Sequence, residues 1–323
     1  AMRLKTINLL VDQLQQVELK RILLELRNRL NVSWPRTAIL RNLLMAKIIK
    51  EQINPKNDIV EAIDSQVFPN PNREYMGYSE SGSPCKRKTW YNFHWIQEEN
   101  ISARTMRIFE TGTLAEEFMM ASLEHAGFKL QDRQKEVIGG FGHVKGHIDG
   151  VTFFGNECYL VEFKTANDKN FKNIVKQGVK RAKPDYYGQI TAYLGKFNLE
   201  KCLFMTYNKN DSEYYIELVT FNPSHFEEIE RMWTDILTAE WPPDKIGDRT
   251  WFECKYCNLR KICHEGKMPA QNCRTCQHVN IEFEGKWSCS VLNCNLTEQK
   301  QRVGCDMYQL NTYLIVPELK DLL

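Results

Sequence analysis

Asp149, Glu162 and Lys164 are the residues of this chain whose types and spacing can do hydrolytic chemistry on a phosphate. Glu162 and Lys164 stand two apart in Val161-Glu-Phe-Lys, so on a strand they share one face while Val161 and Phe163 take the other. Asp149 lies thirteen residues before Glu162, in a short stretch flanked by Gly146 and Gly150. The turn residues Gly155-Asn-Glu separate the two apolar runs and suit a hairpin. That hairpin would set Asp149 beside Glu162. Two carboxylates at close range repel each other, and a hard divalent cation such as Mg²⁺ removes the repulsion through oxygen ligands. Water bound to such a cation becomes acidic enough to attack phosphorus, with Lys164 orienting it or stabilising charge on the phosphate. By itself the pattern is short, and an ordinary strand can carry it.

Eleven cysteines are too many for a protein of a reducing compartment to carry idly, and there they favour metal ligation over disulfides. Eight of them lie between residues 254 and 305. Cys254, Cys257 and Cys263 form C-x2-C-x5-C and need a fourth ligand. Cys273 or His264 lies near enough in sequence to close a zinc site, and Cys85 lies far upstream. In the tail, the C-x2-C pair Cys273 and Cys276 with Cys289 and Cys305 reads as a tetrahedral zinc site, with Cys294 in reserve. Residues 164–183 hold seven Lys or Arg against one Asp. Lys169, Lys172, Lys176, Lys180 and Lys183 recur at helical spacing, opposite Phe171, Ile174, Val175, Val179 and Ala182. A stripe of that kind is either a solvated face or a phosphate-contacting surface, and its start beside Lys164 favours the second.

The elements that must carry these residues follow from periodicity. Residues 1–53 read as two helices, with apolar residues three and four apart. Residues 54–84 read as loop with one helical turn. A helix is expected over 102–127, capped by Ser102 and ended by Gly127. Strands follow at 129–138, 144–154 and 158–165, then a helix over 168–182 and another over 184–197. Strands at 201–209 and 214–221 precede a helix from Pro223. The order implies a mixed α/β sheet, α+β-like, with helices on its faces and not an even βαβ repeat. Of 323 residues, 42% are hydrophobic and 26% charged, ordinary for a soluble globular protein, and the net charge of +2 leaves any basic surface local. No apolar run is long enough to span a membrane and no signal-peptide pattern opens the chain, so a cytoplasmic protein is expected.

Gly112 and Glu116, four apart, precede this site, and Gln189 and Tyr193, four apart on one helix face, follow it. The ordered set G-x-x-x-E, D, E-x-K and Q-x-x-x-Y resembles the PD-(D/E)xK superfamily, in its RecB-type exonuclease branch, over roughly residues 80–265. The resemblance implies a restriction-endonuclease-like fold. It also implies that Asp149 and Glu162 bind Mg²⁺ or Mn²⁺, that Lys164 is the catalytic lysine, and that Gln189 and Tyr193 contact the nucleic acid or support the site. Many members carry a metal-binding histidine where this chain has Glu116, a competent ligand for these ions; Glu117 is the neighbouring alternative. Iron–sulfur members carry one cysteine before the core, followed by basic residues and an aromatic, and three after it. Cys85-Lys-Arg-Lys-Thr-Trp matches that pattern, so the resemblance makes Cys85, Cys254, Cys257 and Cys263 ligands of a [4Fe–4S] cluster.

Three regions are expected: residues 1–79 helical and loop, 80–268 the nuclease domain, and 269–323 a zinc module. The expected activity is metal-dependent DNA exonuclease action, 5′→3′ on single strands or linear ends, in recombination, repair or CRISPR adaptation. No phosphate loop for a helicase motor is present, so a helicase, an annealing protein or an adaptation complex is an expected partner besides DNA. The competing reading is a DNA-end-binding module of a larger complex with little catalysis of its own.

Overall fold

The computed structural model describes residues 55–314, and the two amphipathic stretches expected over 1–53 lie outside them. The chain divides into two compact units, residues 1–66 and 67–323. The described part of the first contains the helix α1 (Pro55–Asp64). All elements that position the candidate site belong to the second.

The centre of that second unit is a four-stranded mixed sheet made of β6 (Gly150–Phe154), β7 (Glu157–Ala166), β8 (Lys201–Asn208) and β9 (Tyr214–Thr220), in that order. β6 and β7 form the expected hairpin, with Phe154 opposite Glu157 and Gly155 supplying the positive φ of the turn. β7 and β8 run parallel, and β8 and β9 antiparallel. The parallel pair needs a crossover. It is made by α4 (Asp168–Gln177), α5 (Val179–Ala182) and α6 (Pro184–Phe197). One face of the sheet, through Val161, Phe163, Leu203 and Met205, packs on Met119 and Leu123 of α3 (Ala103–His125). The other face, through Leu160, Ala166, Cys202 and Phe204, joins a core with Ile190 and Leu194 of α6. Alternation along the strands thus sorts two buried faces between two helical layers. The mixed sheet flanked by helices expected from the sequence is the architecture found.

The stretch read as one strand over 144–154 is two. β5 (Val144–His147) belongs to a second sheet, parallel to β2 (Met76–Gly77) and antiparallel to β4 (Glu136–Gly139), while β6 belongs to the main one. The chain changes sheets at Ile148–Asp149. Residues 129–135 are likewise not a strand but a turn, with Asp132 and Gln134 at positive φ and a single bridge from Gln131 to Val151. The region read as loop contains β1 (Val67–Asn70), paired antiparallel with β3 (Glu99–Ser102), and is followed by α2 (Lys86–Phe93). α7 (Pro223–Thr238) packs beside α6.

The helix read over 168–182 breaks at Gly178, which adopts φ +74 between α4 and α5. Glu217 on β9 accepts the hydrogen bond of the Val179 amide at 2.8 Å, replacing a helical partner. The cysteine-rich end follows two short helices, α8 (Phe252–Lys255) and α9 (Arg260–Glu265). It folds as a small sheet of β10 (Val279–Ile281), β11 (Trp287–Cys289) and β12 (Cys294–Asn295) with α10 (Glu298–Val303). Its Trp287 is buried in the main core. Arg274 is only 2% exposed. It donates to the carbonyls of Phe93 and Glu74, each at 2.8 Å, and to Gln301 Oε1 at 2.7 Å.

Candidate active site and cysteine centres

The sheet change places Asp149 at the end of β5 just before β6, and the hairpin register puts Gly150 across from Val161. Asp149 Oδ2 therefore reaches the Phe163 amide, which donates to it at 2.7 Å. Glu162 is 1% exposed, and Lys164 Nζ donates to its Oε1. Glu162 Oε2 is buried with no hydrogen-bond partner. Glu116 faces the same group from α3, while Glu117 is exposed. The structure thus brings Glu116, Asp149, Glu162 and Lys164 into one electrostatic neighbourhood, with Glu116 as the better placed of the two adjacent glutamates.

Burial is the first cause of every carboxylate shift here. It pushes Glu162 up to about 7, with Lys164 opposing and Asp149 adding repulsion. Asp149 is raised by burial against the pull of Lys164 and the Phe163 amide. Glu116 is raised by burial and then by Asp149. Burial also acts to discharge Lys164, but Glu162 and Asp149 outweigh it and hold the ammonium above its ordinary value. Three carboxyls that resist ionisation around one fixed cation, with an orphaned oxygen among them, form a donor set short of positive charge. Hard divalent ions take such oxygen donors.

α6 supplies the support. Tyr193 is buried and donates from Oη to the carbonyl of His147 at 3.0 Å, tying the helix to the end of β5, two residues before Asp149. Its ring stacks on Tyr78 at 4.7 Å, and Gln189, also buried, hydrogen-bonds with it. Tyr186, absent from the sequence reading, lies with its ring 5.4 Å from Lys164 Nζ. It precedes Gln189 by three positions and Tyr193 by seven, so helical spacing already put all three on one face.

The basic residues do not lie along one helix, because Gly178 interrupts it. Lys169, Lys172 and Lys176 are on α4, Lys180 is on α5 and Lys183 precedes α6. Lys172 pairs with Asp168 at 2.9 Å, Lys180 lies over Tyr187 at 5.2 Å and Lys183 over Tyr186 at 5.7 Å. Phe171, Ile174 and Val179 are buried as expected, whereas Val175 is exposed.

Cys85 caps α2, its Sγ accepting the Lys88 amide at 3.4 Å. Although it is remote in sequence, its thiol lies within electrostatic reach of Cys254, Cys257 and Cys263. Burial raises Cys254 and Cys263, and the neighbouring thiols add to the rise while Arg87 opposes it at Cys263. In the tail, Cys273, Cys276, Cys289 and Cys305 line one cavity of about 400 Å³, with His278 also on its wall and Cys294 outside it. Burial and then the thiols of Cys305, Cys276 and Cys289 push Cys273 up to about 11. Among the described residues, no three His, Cys, Asp or Glu side chains stand in a ready-made coordination geometry. At the carboxylates, Lys164 and the Phe163 amide occupy one oxygen each of Glu162 and of Asp149.

The mixed α/β sheet with a buried carboxylate–lysine group at a strand end is the class that fold and site define. No protein-family profile matches the chain, and no curated protein matches it. Among solved structures it is similar to the alkaline exonuclease LHK-Exo from Laribacter hongkongensis, at 17% identity and TM-score 0.40 over 51% of this chain and 87% of that one. The same enzyme in complex with dAMP aligns at 16% identity and TM-score 0.38, over 51% and 86%. The protein SSO0001 aligns at 17% identity and TM-score 0.36, over 60% and 88%. Among the described residues no helix is long and apolar enough to cross a membrane.

Proposed function

We propose that this chain is a divalent-metal-dependent DNA exonuclease that hydrolyses phosphodiester bonds at linear or single-stranded ends. The observation that carries this reading is the buried group itself: Asp149 and Glu162 with raised pKa values, the partnerless Glu162 Oε2, and a lysine held charged beside them. Asp149, Glu162 and Glu116 would hold Mg²⁺ or Mn²⁺, which when bound supplies an acidified water and charge neutralisation at phosphorus. Lys164 keeps its proton near neutral pH. Its ammonium is therefore a fixed donor for the attacking water or for a non-bridging phosphate oxygen. Tyr193, hydrogen-bonded with Gln189, positions the end of β5 that precedes Asp149. Lys169, Lys172, Lys176, Lys180 and Lys183 would contact backbone phosphates.

Two cysteine centres complete the proposal. Cys85, Cys254, Cys257 and Cys263 are four soft donors brought within electrostatic reach of Cys85 from both ends of the core, and they suit a [4Fe–4S] cluster. Cys273, Cys276, Cys289 and Cys305 line one apolar cavity and suit Zn²⁺. A 5′→3′ polarity, a role in recombination, repair or CRISPR adaptation, and a helicase or annealing partner remain part of this reading.

The test is a cleavage assay on anaerobically purified protein with end-labelled single- and double-stranded linear DNA and a closed circle, in Mg²⁺, Mn²⁺ or chelator. Metal-dependent loss of linear DNA, sparing the circle and absent in Glu162→Ala, is the expected result. Tight DNA binding with no cleavage in any metal would replace the enzyme with an end-binding module.

A further inference from the structure

We infer that the loop bearing Cys254 and Cys257 is a stacking platform for the bases of single-stranded DNA, separate from the carboxylate group. The inference rests on the nuclease reading above. Three aromatic rings stand in solvent within six residues: Trp251 is 54% exposed, Phe252 73% and Tyr256 71%. A single exposed aromatic is ordinary, but a cluster marks a binding surface.

The cluster is also built. Trp251 Nε1 donates to Glu253 Oε2 at 2.9 Å, and its amide donates to Asp248 Oδ1 at 3.2 Å. Its side chain lies so close on Gly247 that a Cβ there would come within 2.7 Å of the indole. The ring is thus held outward in one orientation. Phe252, which opens α8, and Tyr256, just past its end, meet edge to face at 5.4 Å.

Charge selects the occupant. Arg249, Lys255 and Lys261 are exposed, and among the described residues none of them is in an ion pair. Of the nearby acids, Glu265 pairs with Arg260 at 3.0 Å, while Asp248 and Glu253 accept hydrogen bonds from Thr250 and Trp251. Lys255 Nζ lies over the Tyr256 ring at 5.5 Å, so aromatic rings and cations outside ion pairs share one surface, which fits a polyanion that offers flat apolar rings, namely nucleic acid. In a duplex those faces are already stacked on one another, so the fitting form is a single strand. Every base has such a face, so the platform is indifferent to sequence, as digestion along a strand requires.

Its place in the fold connects it to the site. Cys85, whose thiol lies within reach of Cys254, is three residues from Gly82. Gly82 packs against the start of α6 so tightly that a Cβ on Gly188 would come within 2.6 Å of its Cα. Tyr186, beside Lys164, is in that same first part of α6. The cysteine loop and Lys164 are thus linked through Cys85, Gly82 and the first part of α6.

The experiment uses the metal-loaded full chain in a Glu162→Gln background, which suspends cleavage. Affinity is measured by fluorescence anisotropy at fixed salt for an oligothymidylate and for an abasic strand of equal length and charge. The parent is expected to prefer the oligothymidylate. Phe252→Ala, at a side chain with little to lose in folding, is expected to weaken that binding about tenfold, and Phe252→Ala with Tyr256→Ala about a hundredfold. Abasic binding stays unchanged, so the preference disappears. An unaltered preference in both variants, with circular dichroism and metal content intact, overturns the platform while leaving the nuclease reading standing. A parent that binds neither strand overturns both.

Discussion

Replacing Arg274 by Lys is expected to destabilise the protein more than replacing it by Met. Arg274 sits inside the Cys273-x2-Cys276 pair, yet its guanidinium is buried in the core, between Trp95 at 3.7 Å and Trp287 at 4.3 Å. One planar fork serves three acceptors: the carbonyls of Phe93 and Glu74 and the side chain of Gln301. A lysine ammonium keeps the charge but cannot reach all three positions. Each buried acceptor left unpaired costs about 1–3 kcal/mol, and a desolvated cation–π contact is worth up to about 2 kcal/mol. Arg274→Lys should therefore lose about 3–5 kcal/mol, or roughly 6–20 °C in melting temperature for a unit of this size. Methionine strands the same acceptors but also removes the buried charge. Burial pulls the Arg274 guanidinium well below its ordinary value, down to about 9, against the pull of Glu74. That shift marks a cost of burying the charge, which Met does not carry. Thermal melts of the metal-loaded protein at neutral pH would decide. A Lys variant within about 2 °C of wild type, or a Met variant melting below the Lys variant, would refute the reasoning.

At the carboxylates, Glu162→Gln is expected to lower the cleavage rate by at least about a thousandfold while DNA affinity changes only a few-fold, because the residue acts on the reaction rather than on strand capture; a single-turnover assay beside a binding isotherm separates the two. His94, stacked on Trp90 at 3.8 Å, is driven down to about 3 by burial. The unfolded chain takes up its proton near pH 6.5 while the folded one does not. Stability conferred by the neutral ring is thus full above that value and is lost as pH falls toward 3, by up to about 5 kcal/mol. His94→Phe should flatten the slope of stability between pH 6.5 and 5 in urea titrations, and an unchanged slope would place the acid sensitivity elsewhere. For the basic elements, combining Lys169→Ala, Lys172→Ala and Lys176→Ala should reduce the slope of log affinity against log salt by about 0.7 for each single-strand phosphate contact removed. A slope equal to that of wild type would make this face merely solvated.

The carboxylate group was legible because a strand has a period of two and a hairpin has a register. Those two facts put Glu162 with Lys164 and carry Asp149 to the Phe163 amide before any long-range information is needed. The change of sheet at Ile148–Asp149 was not legible, since alternation in Val144–Phe154 is the same whichever strand it pairs with. The sequence reads as one helix over 168–182, and that it ends at Gly178 depends on Glu217, thirty-eight residues away from Val179. The docking of the cysteine-rich end was hidden for the same reason. Arg274 looks like one more surface cation in Cys-Arg-Thr-Cys, and its partners Phe93 and Glu74 lie 181 and 200 residues upstream.

The same contrast explains how the candidate active site holds together. Its side chains act against folding: two carboxylates are buried close together, and burial raises both. What opposes them is main-chain bonding, from the Phe163 amide to Asp149 and from Tyr193 to the carbonyl of His147. The Tyr193 bond fixes the end of β5 whether or not the carboxyls are charged, and the Phe163 amide holds Asp149 in its charged form. A divalent ion entering the group would therefore meet oxygens whose backbone is already in place, and its binding would relieve repulsion rather than assemble the site. Glu116 is the exception, because it projects from α3, outside both strands. Its contribution depends on how α3 packs through Met119 and Leu123 on Val161 and Phe163. In the proposed reading, Glu116 as a third ligand would thus be set by apolar packing, and Asp149 and Glu162 by the sheet.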